Sequence, residues 1–238
     1  MSCLSFKSQI QIILMRSLLR YIQILLSKFN IVLTRLNRNL DRDRYITLFE
    51  RMDYTRSATL DLVAHEILRN NVQGDIAELG VFQGEFAKYL NQIFSDRPLH
   101  LFDTFSGFDV RDVDTEKENK FSDGDQNFAD TSVDLVLGKM KTPKSCIVHK
   151  GFFPETAVGL NPNISYAFVS IDADLYQPIY EGLKYFYPKL SPGGYIFVHD
   201  FNNSEYLGAN KAVFDFCKEN KVAYVPISDG WGSVILAK

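Results

Sequence analysis

Acidic residues placed just after short apolar runs stand out in this chain, because such a spacing sets carboxylates at the ends of strands, where ligands are handled. The first case is Asp75-Ile76-Ala77-Glu78-Leu79-Gly80-Val81-Phe82-Gln83-Gly84-Glu85-Phe86-Ala87, which reads as a strand, a glycine turn and the start of a helix. Gly80 and Gly84 allow a sharp bend and a close approach of backbone to ligand, and the helix that follows offers free N–H groups. Glu78 argues against a phosphate and suits a cationic ligand such as the sulfonium and ammonium of S-adenosylmethionine. The spacing matches neither the dinucleotide G-x-G-x-x-G nor a P-loop. Read alone, the segment is equally an ordinary strand-to-helix turn.

A second strand, Pro98-Leu99-His100-Leu101-Phe102-Asp103, ends in an acid about 20 residues beyond the glycine turn, where nucleotide-binding α/β folds place a ribose-binding carboxylate. Thr104, Phe105, Ser106 and Gly107 supply a flexible loop beside it. Asp103 is also suited to a helix cap or an Asx turn. Two later clusters follow the same pattern. Tyr166–Ile171 runs into Asp172-Ala173-Asp174-Leu175-Tyr176, and Tyr195–Val198 runs into His199-Asp200-Phe201-Asn202-Asn203. If these strands are neighbours, Asp172, His199 and Asp200 converge on one rim and can hold a divalent cation. Alternatively Asp172 or His199 serves as a general base toward a substrate hydroxyl, or these residues cap the helices that follow. Tyr176 and Trp231 are candidate stacking partners for a sugar face, although aromatics more often belong to the core.

The elements that must position these groups alternate. Strands are expected at 75–80, 98–103, 145–149, 166–172 and 194–200, and helices at 55–71, 84–95, 128–140, 177–190 and 210–220. That order implies a Rossmann-like α/β fold with a mostly parallel sheet of seven strands and helices on both faces. Segments 223–227 and 233–237, joined by Ser228-Asp229-Gly230-Trp231-Gly232, are expected as an antiparallel hairpin at the sheet edge. Val110 to Gln126 is charged and almost free of aliphatics, so it is read as a mobile insertion or lid over the ligand pocket.

With 238 residues, 46% of them hydrophobic, the chain suits one α/β domain with an appendage. Residues 1–44 form the appendage and 45–238 the domain. The appendage carries eight basic side chains (Lys7, Arg16, Arg20, Lys28, Arg35, Arg38, Arg42, Arg44) against Asp41 and Asp43, a net charge of +6 that leaves −9 for the remainder of a chain whose total is −3. Between Ile10 and Leu36 apolar clusters are broken by Arg16, Arg20 and Lys28, the pattern of an amphipathic helix and not of a membrane span. Such a helix can lie on an anionic membrane or pack on the domain or a second subunit, and the chain is expected to form a homo-oligomer. Cys3, Cys146 and Cys217 are scattered and odd in number, which supports neither a disulfide framework nor a zinc cluster and fits a cytoplasmic setting, including the inner face of the membrane. The acidic domain is unsuited to nucleic acid.

Taken together these segments resemble the macrocin O-methyltransferase family, from about Asp75 to the C-terminus. The resemblance rests on Gly74–Val81, Asp103–Gly107, Lys150-Gly151-Phe152-Phe153-Pro154-Glu155-Thr156, Asp172–Tyr176, Tyr187–Tyr195 and Asn210–Val213. It implies a class I methyltransferase that uses S-adenosylmethionine to methylate hydroxyls of a sugar or glycosylated natural product, with a magnesium ion orienting the acceptor. By the same resemblance Glu78 and Gly80 face the methionine part of the cofactor, Asp103 its ribose, and Gly151 and Phe152 its adenine. Phe82, Gly84, Thr104, Ser106 and Asp172 complete the expected cofactor set, and Asp172 is metal ligand and base. The family pattern has Asp-Asp where this chain has His199-Asp200, and Asp-Gly-Asp where it has Asp172-Ala173-Asp174. Histidine suits manganese better than magnesium, so either a manganese-like ion or a metal-free site with His199 as base is expected. Two rival classes are a NAD-dependent oxidoreductase, which calls for a third phosphate-loop glycine and no Glu78, and a binding protein that keeps the fold without turnover.

Overall fold

A computed structural model describes residues 6–29, 31 and 53–238, and the side chains of 15 and of 17 onward within that set. The chain divides into two units, Met1–Arg42 and Asp43–Lys238. In the first, α1 spans Phe6–Ser27, with Leu18, Tyr21, Ile22 and Leu25 exposed. Arg35, Arg38, Arg42 and Arg44, and the expected helix beyond 31, lie outside the described residues. Among the described residues, no helix is long and apolar enough to cross a membrane.

The second unit is built on a seven-stranded sheet. Its strands are β1 (Asp75–Leu79), β2 (Leu99–Asp103), β3 (Cys146–Lys150), β4 (Tyr166–Ile171), β5 (Leu190–Val198), β6 (Val225–Pro226) and β7 (Val234–Ala237), in the order β3-β2-β1-β4-β5-β7-β6. The first five are parallel, while β7 runs antiparallel to β5 and carries β6 on the edge, as the hairpin expectation required. β4 is buried at every position, which is why it reads as an apolar run interrupted only by Ser170: a parallel strand covered on both faces has no solvent side.

Helices α2 (Tyr54–Arg69), α3 (Glu85–Ile93) and α5 (Val133–Lys139) contribute to the core on one face, through Leu60, Ile67, Phe86, Leu90 and Val136. On the other face, α6 (Tyr176–Lys189) and α7 (Leu207–Asn220) contribute Ile179, Leu183, Phe186, Val213 and Phe216. Each fully buried phenylalanine contributes about 2–3 kcal/mol by removal from water. Strand order reverses between β1 and β4, and this is the point at which open α/β sheets bind ligands.

Two expectations need correction, and a third segment holds an element that its composition hides. The segment 110–126, read above as a mobile insertion or lid, contains a helix, α4 (Val110–Asn119), capped by Asp109, whose side chain accepts the Arg111 N–H. Its aliphatic poverty misleads because its inner face buries acids, Asp112 and Glu116. The helix expected over 128–140 begins only at Val133, where the Ser132 side chain accepts the Leu135 N–H. β5 starts at Leu190 and stops at Val198, so His199 and Asp200 follow the strand rather than end it.

Candidate active site

The sheet register aligns the acidic residues. Leu79 pairs with Phe102 and Ile171, and Ile171 with Val198. The next residues, Asp103, Gly80, Asp172 and His199, therefore stand in a row along the carboxyl ends of four strands. They border a cavity of about 430 Å³.

On the β1 and β2 side the backbone does most of the binding. Asp103 accepts N–H bonds from Val81 (2.7 Å) and Phe82 (2.9 Å) on one oxygen and from Phe105 (2.6 Å) on the other. It thus clamps the glycine turn while also making the Asx turn that its residue type favours. Gly80 has φ +82°, and a Cβ there would lie 2.1 Å from the Asp172 carbonyl oxygen. The glycine is required first by the close approach of β1 to β4, and only secondly by a ligand. Glu78 is 1% exposed, and its Oε2 has no hydrogen-bond partner. Burial, aided by Asp172 and Asp103 and opposed by Arg56, pushes its carboxyl well above the usual range.

On the β4 and β5 side, ion pairs dominate. His199 Nδ1 lies 2.9 Å from Asp172 Oδ1 and 2.6 Å from Asp200 Oδ2. Arg56, from the first turn of α2, places Nη2 2.9 Å from Asp172 Oδ2, and its guanidinium covers the Phe86 ring at 4.2 Å. Burial opposes charge on Asp172, but His199 and Arg56 outweigh it and hold the carboxyl well below the usual range. Burial likewise lowers His199, and Asp172 and Asp200 overcome it, raising the imidazole to about 10. Asp174 goes the other way: burial and the nearby Asp200 and Asp172 keep it protonated well above the carboxylate norm.

Of the expected residues, Glu78, Gly80, Phe82, Asp103, Thr104, Gly151, Phe152, Asp172, His199 and Asp200 line the cavity together. Gly84 and Ser106 do not. Gly84 begins α3 at φ +78°, packed against Val136, and Ser106 is exposed, its N–H donating to Thr104 Oγ1. Trp231 lines the cavity, whereas Tyr176 donates its hydroxyl to Asp215 on α7. Asp172, His199 and Asp200 offer ligand atoms within 4.8 Å of one another, one nitrogen and two oxygens, a set that fits a manganese-like divalent cation better than magnesium. Arg56 and Asp112 were not anticipated. Arg56 had a signal: it sits four residues before Leu60 on the apolar stripe of α2, where an arginine must have a buried partner.

The family model of the macrocin O-methyltransferases (TylF) matches residues 30–232. The chain is 26% identical over 181 residues to demethyldecarbamoylnovobiocin O-methyltransferase of Streptomyces niveus, covering 69% of this chain and 66% of the relative. It is 22% identical over 175 residues to 8-demethyl-8-(2,3-dimethoxy-alpha-L-rhamnosyl)-tetracenomycin-C 4'-O-methyltransferase of Streptomyces olivaceus, covering 69% and 67%. In structure it resembles the O-methyltransferase NovP, with a TM-score of 0.63 at 21% identity over 78% of this chain and 80% of that one. The acids and glycines at the strand ends, the switch point and these likenesses agree, and the chain belongs to the macrocin O-methyltransferase family, with the fold of S-adenosylmethionine-dependent O-methyltransferases.

Proposed function

We propose that this protein transfers a methyl group from S-adenosylmethionine to a hydroxyl of a sugar, free or carried on a natural product or polysaccharide precursor. The observation that carries this reading is Glu78: a buried carboxyl group with an unpaired oxygen, bordering the cavity at the switch point, whose ionised form a cationic ligand would stabilise. Burying it without a partner costs about 1–3 kcal/mol, which a cationic ligand offsets and a pyrophosphate does not. The same feature disfavours a nicotinamide dinucleotide.

S-adenosylmethionine, when bound, supplies a methyl group already activated on a sulfonium. Glu78, Gly80 and Phe82 would hold its cationic methionine end, Asp103 and Thr104 its ribose, and Gly151 and Phe152 its adenine. Asp172, kept ionised by Arg56 and His199, accepts a hydrogen bond from the acceptor hydroxyl and orients it, and the proton passes to solvent as methylation makes that oxygen acidic. His199 is protonated at neutral pH and stabilises the developing negative charge on the acceptor oxygen instead of acting as base. Asp172, His199 and Asp200 are the residues that would hold a divalent cation, and such an ion would lower the pKa of the hydroxyl. The relatives are named for demethyldecarbamoylnovobiocin and for a rhamnosyl tetracenomycin, and the second name supports a glycosylated acceptor. The exposed apolar side chains and basic residues of α1 suit an anionic membrane surface on the cytoplasmic side or a second copy in a homo-oligomer.

Incubation of the full chain with methyl-labelled S-adenosylmethionine and a panel of sugar nucleotides, lipid-linked saccharides and small phenols tests the reading. Label is expected in a saccharide. Transfer to phenols alone would reject the sugar assignment.

A further inference from the structure

Helix α4 has no aliphatic stripe, yet one of its faces is buried. Two acids four residues apart occupy that face and are treated differently. Glu116 is satisfied, accepting the Tyr176 N–H at 2.6 Å and the Ser122 hydroxyl at 2.7 Å, which joins α4 to the start of α6. Asp112, 7% exposed, lines the cavity, and its Oδ1 has no partner. Tyr206, just before α7, lines the same cavity, is 4% exposed, and has a hydroxyl equally without a partner.

Buried polar atoms are almost always paired, and each left unpaired costs about 1–3 kcal/mol. Besides Glu78 Oε2 and Arg56 Nε, both Asp112 Oδ1 and the Tyr206 hydroxyl are left unpaired on this cavity, which indicates a ligand that completes their bonds. Its chemistry follows from the neighbours. The Phe108 ring stands 5.1 Å from Phe128 and 6.3 Å from Tyr206, so an apolar aromatic wall adjoins the tyrosine hydroxyl. A ring with an apolar C–H face and a hydroxyl rim matches such a surface.

We infer that Asp112 and Tyr206 form an acceptor subsite that binds the hydroxyls flanking the one methylated on a hexose or deoxyhexose ring. This rests on the sugar O-methylation reading above. Burial raises the Asp112 carboxyl to about 7, so near neutrality it can donate to a sugar oxygen as well as accept from a hydroxyl.

The test uses the full chain saturated with S-adenosylhomocysteine and follows methyl α-L-rhamnoside, methyl α-D-glucoside and dTDP-L-rhamnose by saturation-transfer NMR and calorimetry. Asp112→Ala and Tyr206→Phe are each expected to weaken the glycosides that bind by about tenfold, the loss of one hydrogen bond. Their affinity for S-adenosylhomocysteine should stay within about twofold of wild type, consistent with roles outside the cofactor half. Glycosides that bind wild type and both variants alike would overturn the subsite while leaving the sugar reading in place. Equal weakening of S-adenosylhomocysteine would also overturn it, by assigning these residues to the cofactor. If no probe binds the loaded wild type, the sugar reading fails and the subsite falls with it.

Discussion

The two walls of the cavity both carry acids but partner them differently. Along β1 and β2, Asp103 is held by three backbone N–H groups and Glu78 keeps one oxygen unpaired. Along β4 and β5, Asp172 and Asp200 are matched by His199 and Arg56, cations built into the fold. On the first wall the buried Glu78 carboxyl has no cation of its own within hydrogen-bond reach of Oε2. The second has its charge already balanced, so groups bound there must work within a network that is fixed before they arrive. Backbone donors cannot be lost by mutation of a side chain, whereas ion pairs can, and the two walls should therefore fail differently.

The largest effect is expected on the ion-paired wall. Asp172→Ala leaves Arg56 and His199 without their shared partner, which should reduce methyl transfer by about 10³-fold and destabilise the fold by about 3 kcal/mol in a urea titration. Retention of full stability would show that the network is not coupled as its distances imply. On the opposite wall, Glu78→Lys puts a like charge beside the sulfonium and should weaken S-adenosylmethionine by about 100-fold or more. Unchanged calorimetric affinity would remove Glu78 from the cofactor site.

The comparison sharpens further with metal. Chelation is expected to lower activity, and manganese to restore it at least as well as magnesium, because one ligand is an imidazole. Since His199 must lose a proton to coordinate through Nδ1, manganese affinity should rise from pH 6 to pH 9, and a flat profile would count against histidine ligation. If chelation has no effect, His199→Ala should still slow the reaction by about 10²-fold through loss of its charge, with cofactor binding intact.

The last contrast concerns α4. Asp112 has its folded-state pKa raised to about 7 by burial, above its unfolded value near 3.8. Across that interval the unfolded chain has already released the proton that the folded chain keeps. Stability from this group is thus fully present below about pH 4 and is lost as pH rises to about 7. Melting curves of Asp112→Asn against wild type should diverge over that window, the variant gaining relative stability at the alkaline end.

Much of the fold and part of the site were legible in the chain. Buried parallel strands must be continuous apolar runs and helices must return an apolar face every three to four residues, so the alternation and the sheet class follow from residue order. Polar residues at the ends of such runs are carried to the rim by the strands themselves, which is why Asp103, Asp172, His199 and Asp200, with Glu78 one residue inside the end of β1, line one cavity. Local periodicity failed where a helix buries polar groups. α4 has no aliphatic stripe to reveal it, and the pairing of Glu116 with the Tyr176 backbone spans 60 positions. Gly84 shows the same limit in reverse: its sequence context is that of a ligand turn, and its conformation serves the start of α3 against Val136.

What the sequence by itself determined is the set of strands, the order of acids at their ends and the family, all consequences of local pattern. Only the tertiary structure decided which charges meet. Arg56 reaches Asp172 across 116 residues, and the protonation of His199, Asp174 and Asp112 depends on burial and on neighbours from other elements. Desolvation and Coulomb energy depend on distance in space, which a one-dimensional chain does not contain until the sheet register brings the strand ends together.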